Sequence, residues 1–184
     1  MIGVVLAGGL GRRMGAPKAT ATLAGRALIQ YPLDALAAVC ERVVVVCKGE
    51  TELPPLHAER WDEPDDPRHP IAGITHSLER AGSPILVCAA DMPFVGADVL
   101  SLIAAELRPG LKAAAGFCEG QLQPVLAAYA PEALEVLREA PTGEPLRRTV
   151  ESLMPVLVDV EPKTVFNVNT PEDLAEAERR LSPG

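Results

Sequence analysis

The sequence predicts an α/β fold with three layers, α-β-α, in which helices cover both faces of a mostly parallel sheet. Short apolar runs typical of buried strands alternate along the chain with longer amphipathic segments typical of helices, and this alternation indicates helices on both faces of a parallel sheet. The length of 184 residues and the hydrophobic content of 48% suit one domain, which we expect to span residues 1–184. A glycine-rich loop follows the first strand, at the edge where such sheets bind ligands.

The predicted strands share short apolar or β-branched runs bounded by turn residues. They cover residues 2–6, 42–47, 85–89, 112–117, 125–129 and 156–160, and a further short strand ends near Asp62. The predicted helices share apolar residues at helical spacing and cover residues 28–39, 71–80, 97–107, 131–139, 146–153 and 171–181. Pro32 fits only the first turn of its helix, Gly82 closes the second helix, and Thr170 caps the last.

The loop at residues 7–18 combines four glycines with two arginines and a lysine. Glycines let the backbone approach a ligand closely and turn N–H groups toward an anion. An ATP-binding P-loop needs Ser or Thr after its lysine, but Ala19 follows Lys18. A dinucleotide fingerprint needs a third glycine where Met14 stands and an acid where Lys48 ends the second strand. The loop therefore predicts a polyphosphate site of another kind and argues against NAD.

This loop matches the nucleotidyltransferase pattern Leu-Ala-Gly-Gly-x-x-x-Arg-Met-Gly-x-x-Lys, and further blocks follow it. They are Asp62 with Pro70-Ile71-Ala72-Gly73, then Ala90-Asp91-Met92-Pro93-Phe94, Gln123-Pro124, and Phe166-Asn167-Val168-Asn169-Thr170. In these blocks the chain resembles the molybdenum cofactor guanylyltransferases (MobA-type) of the NTP-transferase family, from Gly3 to about Ala177. The resemblance implies a nucleotide-diphospho-sugar transferase-like fold. It also implies Mg²⁺-dependent transfer of GMP from GTP to molybdopterin, with release of pyrophosphate.

The same resemblance implies a nucleotide site made of the first loop and two later carboxylates. Its implied members are Leu6, Ala7, Gly8, Gly9, Gly15, Lys18, Asp62 and Asp91. Arg13, Lys18 and Asp91 form the implied catalytic set, because the two cations can stabilise charge on the transferred phosphate and the pyrophosphate. Asp91 follows an apolar strand and is the implied Mg²⁺ ligand, since a carboxylate among phosphates suits that ion. The alternative for Asp91 is capping of the following helix.

Asp62 lies 11 positions before Gly73, which is the family's spacing for the residue that reads guanine. One carboxylate suits this task, because guanine presents two adjacent donors, N1–H and the 2-amino group. Asp65 and Asp66 are expected to be solvated charges of the same loop.

On the acceptor side the resemblance implies four residues: Gly73, Gln123, Asn167 and Asn169. Asn167 and Asn169 alternate with Val168, so both amides face one way in an extended segment. A capping role shared with Thr170 is the alternative for Asn169.

The base preference and the activity each have an alternative. Val46 stands where guanylyl enzymes often carry asparagine, and residues 73–78 also resemble the sister cytidylyltransferases. A cytidylyltransferase, or a nucleotidyltransferase with another phosphate acceptor, is therefore the first alternative. A non-catalytic module that binds nucleotide or molybdopterin is the second.

Composition argues against several other classes of protein. A net charge of −8 opposes non-specific binding to nucleic acid, and an aromatic content of 3% leaves no platform for base stacking. The apolar runs are too short to span a membrane or to serve as a signal peptide. The four cysteines are widely spaced, as expected for reduced core thiols. We therefore expect a cytoplasmic enzyme with no nucleic-acid or membrane partner, and the resemblance adds transient contact with molybdenum-insertion proteins and target molybdoenzymes.

Overall fold

In the computed structural model, which describes residues 1–8, 20–141 and 143–182, nine strands form two sheets. In chain order the strands are β1 (Ile2–Leu6), β2 (Thr22–Leu23), β3 (Arg26–Ala27), β4 (Val43–Lys48), β5 (Glu59–Glu63), β6 (Ile85–Ala89), β7 (Ala113–Cys118), β8 (Gln121–Tyr129) and β9 (Val156–Asp159). The large sheet has the order β5-β4-β1-β6-β8-β7-β9, and β2 pairs with β3 in a small hairpin. Every strand of the large sheet except β8 runs in the same direction, so the prediction of a mostly parallel sheet is confirmed.

Helices cover both faces of the large sheet. They are α1 (Gln30–Ala37), α2 (Pro70–Ala81), α3 (Ala97–Glu106), α4 (Leu134–Arg138), α5 (Leu146–Ser152) and α6 (Pro171–Leu181). Buried side chains of α1 and α3 pack on one face, and those of α2, α4 and α5 pack on the other. The predicted three-layer arrangement is therefore confirmed. In the part of the chain that is described, no helix has both the length and the apolar character needed to cross a membrane.

Local signals in the sequence predict several of the element ends. Pro32 lies in the first turn of α1, where its missing N–H costs nothing. Gly82 ends α2 with φ at +56°, a left-handed conformation that glycine adopts without strain. Thr170 caps α6, as predicted. The four cysteines are free thiols and all of them are buried, in agreement with the predicted core positions.

The structure differs from the predicted elements in three places. The β2–β3 hairpin was not predicted, because strands of two residues are too short to show alternation. Strand β8 begins at Gln121 rather than at residue 125, although Pro124 lacks an N–H for the ladder. The β7–β8 register shifts between Ala115 and Gly116, opposite this proline, and places Val125 in the irregular stretch. Residues 131–133 form a 3-10 turn ahead of α4, where we predicted one continuous helix.

Candidate active site

A cavity of about 400 Å³ lies at the carboxyl ends of the parallel strands β1, β4, β5 and β6. Ligands bind at this edge in open α/β sheets. The start of α2, strand β8 and the segment before α6 complete its walls. Six of the predicted site residues line it: Leu6, Ala7, Gly8, Gly73, Asp91 and Asn167.

The remaining predicted residues fall into two groups. Gly9, Arg13, Gly15 and Lys18 lie outside the described residues, so their roles stay predictions. Asp62, Gln123 and Asn169 are described but do not line the cavity. The amide of Gln123 donates to the backbone carbonyl of Gln121 at 3.3 Å, and Val125 lines the cavity instead.

Two glycines allow close packing at the centre of the cavity wall. A Cβ atom on Gly8 would lie 2.9 Å from Oε1 of Glu63. A Cβ atom on Gly73 would lie 2.9 Å from Cδ2 of Leu6 and 3.1 Å from Oε2 of Glu63. Side chains at either position would therefore push into the carboxylate of Glu63. The glycines bring the end of β1 and the first turn of α2 against that carboxylate.

Asp91 follows β6 and reaches the cavity from the centre of the sheet. Gly96, not Asp91, occupies the N-cap position of α3, so the capping alternative for Asp91 is wrong. The backbone carbonyl of Asp91 accepts a hydrogen bond from the N–H of Val168 at 2.9 Å. This bond ties the segment before α6 to the end of β6 and thereby brings Asn167 to the cavity.

The two asparagines of that segment have different surroundings. Asn167 lines the cavity, and its side-chain amide donates to the carbonyl of Val165 at 2.9 Å. Asn169 belongs to the helix cap, since its backbone N–H donates to Oδ2 of Asp173 at 2.9 Å. The alternative that placed Asn169 in the cap is therefore supported, and its role in acceptor binding stays a prediction.

We expect the cap of α6 to be needed for stability. In its capping box, Oγ1 of Thr170 accepts from the N–H of Asp173 at 3.1 Å. Thr170→Ala should lower the free energy of unfolding by about 1 kcal/mol, because it leaves that helical N–H unpaired. Urea unfolding followed by circular dichroism measures the change. Thr170→Ser keeps the hydroxyl and is the control; equal losses in both variants would contradict a capping role.

Asp62 is turned away from the cavity by the alternation of side chains along β5. Trp61 and Glu63 are buried, whereas Arg60 and Asp62 are exposed. Oδ1 of Asp62 accepts from Nε of Arg60 at 2.6 Å, and the Asp62 side chain is 60% exposed. The structure therefore does not bring Asp62 to the cavity, and its assignment as the residue that reads guanine gains no support from the geometry.

Sequence reasoning missed Lys48 and Glu63, a buried ion pair that lines the cavity. Nζ of Lys48 lies 3.5 Å from Oε1 of Glu63, and the two side chains are 4% and 6% exposed. Burial raises the pKa of the Glu63 carboxyl, and the Lys48 ammonium opposes that rise. Both residues stand at strand ends and face each other in the parallel register of β4 and β5. Glu63 lies two positions after the apolar Trp61, and this spacing in a strand indicates that both side chains face the interior. The sequence alone does not show that Glu63 pairs with Lys48, because that contact depends on the register of β4 and β5.

His69 and Arg68 also line the cavity and were not predicted to do so. His69 is the N-cap of α2, where its Nδ1 accepts a hydrogen bond from the N–H of Ile71 at 3.3 Å. The guanidinium of Arg68 pairs with the exposed carboxylate of Glu50 at 2.7 Å. Arg68 thus places a half-exposed guanidinium, paired with Glu50, on the cavity lining just before the first turn of α2.

Comparison with known proteins gives a consistent result over nearly the whole chain. The model of the MobA-like NTP transferase domain matches residues 3–157. A molybdenum cofactor guanylyltransferase from Bradyrhizobium sp. (strain ORS 278) is 33% identical over 193 residues, covering 96% of this chain and 91% of that protein. Molybdopterin-guanine dinucleotide biosynthesis protein A from Archaeoglobus fulgidus, a crystal structure, has a TM-score of 0.79 at 29% identity and 98% coverage of both chains.

A more distant neighbour shares the fold alone. The 2-C-methyl-D-erythritol 4-phosphate cytidylyltransferase from Thermus thermophilus has a TM-score of 0.70 at 22% identity, covering 96% of this chain and 97% of that one. Family model, curated relatives and structural neighbours thus all indicate a nucleotidyltransferase fold over nearly the whole chain. This chain belongs to the MobA-like NTP transferase family and is a nucleotidyltransferase.

Proposed function

We propose that the protein transfers GMP from GTP to molybdopterin, which gives the guanine dinucleotide form of the molybdenum cofactor and pyrophosphate. One observation carries the proposal: the fold brings the end of β1, Asp91 and Asn167 to one cavity in a chain of this family. The relatives named as molybdenum cofactor guanylyltransferases support the choice of GTP and of the acceptor.

In the proposed reaction an oxygen of the terminal phosphate of molybdopterin attacks the α-phosphorus of GTP. The new P–O bond forms in line with the bond to pyrophosphate, which breaks. The attacking phosphate is already ionised at neutral pH, so the protein needs no general base. Its task is to align the two phosphates and to stabilise the charge that develops between them. We assign alignment of the nucleotide to Leu6, Ala7 and Gly8, and contact with the acceptor to Asn167.

Asp91 is the residue that would hold a divalent cation in this cavity. Mg²⁺ commonly binds one or two carboxylates together with substrate phosphates, and Asp91 supplies one carboxylate at the cavity wall. Within the described ranges, no group of three or more His, Cys, Asp or Glu side chains could hold a metal by itself. The donor set fits an ion bound together with the nucleotide. When bound, Mg²⁺ would neutralise phosphate charge, and Arg13 and Lys18 of the first loop are proposed to share that task.

The proposal includes a cytoplasmic location and transient contact with proteins that insert molybdenum or receive the finished cofactor. The contacts follow from the substrate, because a pterin carrying molybdenum must be passed on to be used. Neither nucleic acid nor a membrane is a partner in the proposed function.

Nucleotide selectivity in a melting experiment tests the proposal. With Mg²⁺ and GTP at 100 times the dissociation constant, the folded state should gain about 2.7 kcal/mol, which raises the melting temperature measurably. CTP, ATP and UTP at the same concentration are the controls and should give smaller shifts. Pyrophosphate release on addition of molybdopterin should then depend on GTP. A shift with CTP alone would contradict guanylyl transfer and indicate the cytidylyl alternative.

A further inference from the structure

His69 lines the cavity, and the described part of the protein uses only one of its two ring nitrogens. The half-buried residue is the N-cap of α2, where its Nδ1 accepts a hydrogen bond from the N–H of Ile71 at 3.3 Å. Its Nε2 makes no hydrogen bond with any residue that the structure describes. A ring nitrogen left over in this way at a cavity wall can be satisfied by a ligand.

The capping hydrogen bond determines what the second nitrogen of His69 can do. An imidazole nitrogen accepts a hydrogen bond only when it carries no proton, so a ring that caps through Nδ1 has its proton on Nε2. The two nitrogens face nearly opposite directions from the ring. With Nδ1 turned to the first turn of α2, the Nε2–H therefore points away from that turn. His69 offers the cavity a neutral hydrogen-bond donor and no charge.

The backbone holds His69 in place on both sides. Its N–H donates to the carbonyl of Pro67 at 2.9 Å, and its carbonyl accepts from the N–H of Ala72 at 3.0 Å. The carbonyl of Pro67 also accepts from the ammonium of Lys48 at 3.2 Å, which joins this segment to the end of β4. The donor on Nε2 is thus presented from a backbone that needs no ordering when a ligand binds, and such preorganisation favours affinity.

Other donors that line the cavity are engaged by the protein itself. The ammonium of Lys48 donates to two backbone carbonyls, and the amide of Asn167 donates to the carbonyl of Val165 at 2.9 Å. The guanidinium of Arg68 donates to Glu50 at 2.7 Å. The Nε2–H of His69 has no such partner in the described ranges. A ligand that brings an acceptor to it therefore gains a hydrogen bond without breaking one inside the protein.

The position of His69 in the fold indicates which part of a substrate it would meet. The first turn of α2, which follows His69, packs against Val46 of β4 and Glu63 of β5. Asp91 and Asn167 lie at the other end of the cavity, beside β6, because β1 separates β4 from β6 in the sheet. The proposed function places the reacting phosphates and the acceptor at that other end. The nucleoside part of GTP therefore extends toward His69.

On the basis of the proposed function, we propose that His69 binds the nucleoside part of GTP, with its Nε2–H donating a hydrogen bond to an acceptor atom of the guanosine. Guanosine offers two kinds of acceptor at this end of the cavity, the base atoms N7 and O6 and the ribose hydroxyl oxygens. The two nitrogens of His69 then have separate tasks. Nδ1 holds the start of α2, and Nε2 binds the substrate.

Two reciprocal substitutions separate the two tasks. His69→Ser keeps an N-cap of the preferred kind but has no group at the position of Nε2. It should melt close to the wild type and bind GTP about threefold to tenfold more weakly. His69→Gln places an amide nitrogen near the position of Nε2 but is a poor cap. It should melt about 2–4 °C lower and bind GTP close to the wild-type affinity. Thermal melting and calorimetric titration of the full chain with Mg²⁺ measure both effects.

Two further ligands and a control variant define the contact. Inorganic tripolyphosphate lacks the nucleoside, so His69→Ser should bind it as the wild type does. The ligand 2′,3′-dideoxy-GTP lacks both ribose hydroxyls. If His69→Ser weakens its binding as much as that of GTP, the partner is the base; if the variant leaves its binding unchanged, the partner is a ribose hydroxyl. His57 is exposed and does not line the cavity, so His57→Ser should keep all the wild-type constants.

Three results would overturn the inference, and the wild-type protein separates them from a failure of the proposed function. The first is wild-type affinity for GTP in His69→Ser. The second is an equal loss of affinity for tripolyphosphate, which would mean that His69 shapes the cavity or meets a phosphate. The third is a loss in His69→Gln as large as in His69→Ser. If the wild type itself binds GTP no better than CTP, the proposed function is wrong, whatever the His69 variants do.

Discussion

Replacing Asp91 by asparagine is expected to lower the rate of nucleotidyl transfer by about 10²–10³ while leaving the fold intact. The change keeps the size of the side chain but removes the carboxylate that the cavity presents at the end of β6. That carboxylate is the one proposed to hold a divalent cation against the phosphates. The backbone carbonyl that binds the N–H of Val168 is unaffected, so the segment with Asn167 should stay in place. Pyrophosphate release at saturating GTP and molybdopterin measures the effect.

A second acidic residue of the same region provides the control for Asp91. Asp98 is exposed in the first turn of α3 and does not line the cavity. Asp98→Asn should keep the wild-type rate and lose only a small helix-dipole contribution to stability, about 0.3–1 kcal/mol. The Asp91 variant should also need more Mg²⁺ for half-maximal rate. A wild-type rate in Asp91→Asn would remove this residue from the catalytic set.

Removing the buried cation is expected to give the largest loss of stability. Lys48→Met leaves the carboxylate of Glu63 in the interior without its partner, and breaking a buried pair on one side typically costs about 3–5 kcal/mol. Chemical unfolding at pH 7 measures the loss. Lys163→Met removes an exposed lysine that lies 5.3 Å from the ring centroid of Phe94, and it should cost less than about 1 kcal/mol. In Lys48→Met with Glu63→Leu both charges are gone, and most of the lost stability should return.

The stability loss in Lys48→Met should also depend on pH in a definite direction. Burial raises the pKa of Glu63 in the wild type, and without Lys48 the pKa rises further. The folded state then keeps a proton that the unfolded chain releases above its ordinary pKa of about 4.3. Stability therefore falls as pH increases from that value toward the folded pKa. The difference in free energy of unfolding between the wild type and Lys48→Met should therefore be smallest at about pH 4.3 and should grow toward neutral pH. A difference that does not change with pH would argue that Glu63 stays ionised or is not the affected group.

Some of the site residues could be predicted because their signals are local. Each of these residues stands next to an element that the sequence shows clearly. Gly8 follows β1, Asp91 follows β6, and Asn167 precedes the start of α6. Parallel strands bring such residues to one edge, so their convergence on one cavity follows from the fold class. The guanine assignment of Asp62 rested on spacing from Gly73, which does not say to which side of β5 a side chain points. A change of one position along a strand turns the side chain to the other face, and that is the difference between Asp62 and Glu63.

The sequence by itself determined the layers of this protein and many of its element ends. The hydrophobic periodicity and the residues that begin or end a helix depend only on neighbours a few positions away, so they can be recognised without the fold. Examples are Pro32 in the first turn of α1, Gly82 after α2 and Thr170 before α6. Only the tertiary structure decided which strands are neighbours, that β8 runs against the rest, and that Lys48 meets Glu63 across β4 and β5. Such pairings join segments far apart in the chain through register and burial. The buried charge pair at the cavity therefore emerges only when the strands are placed side by side.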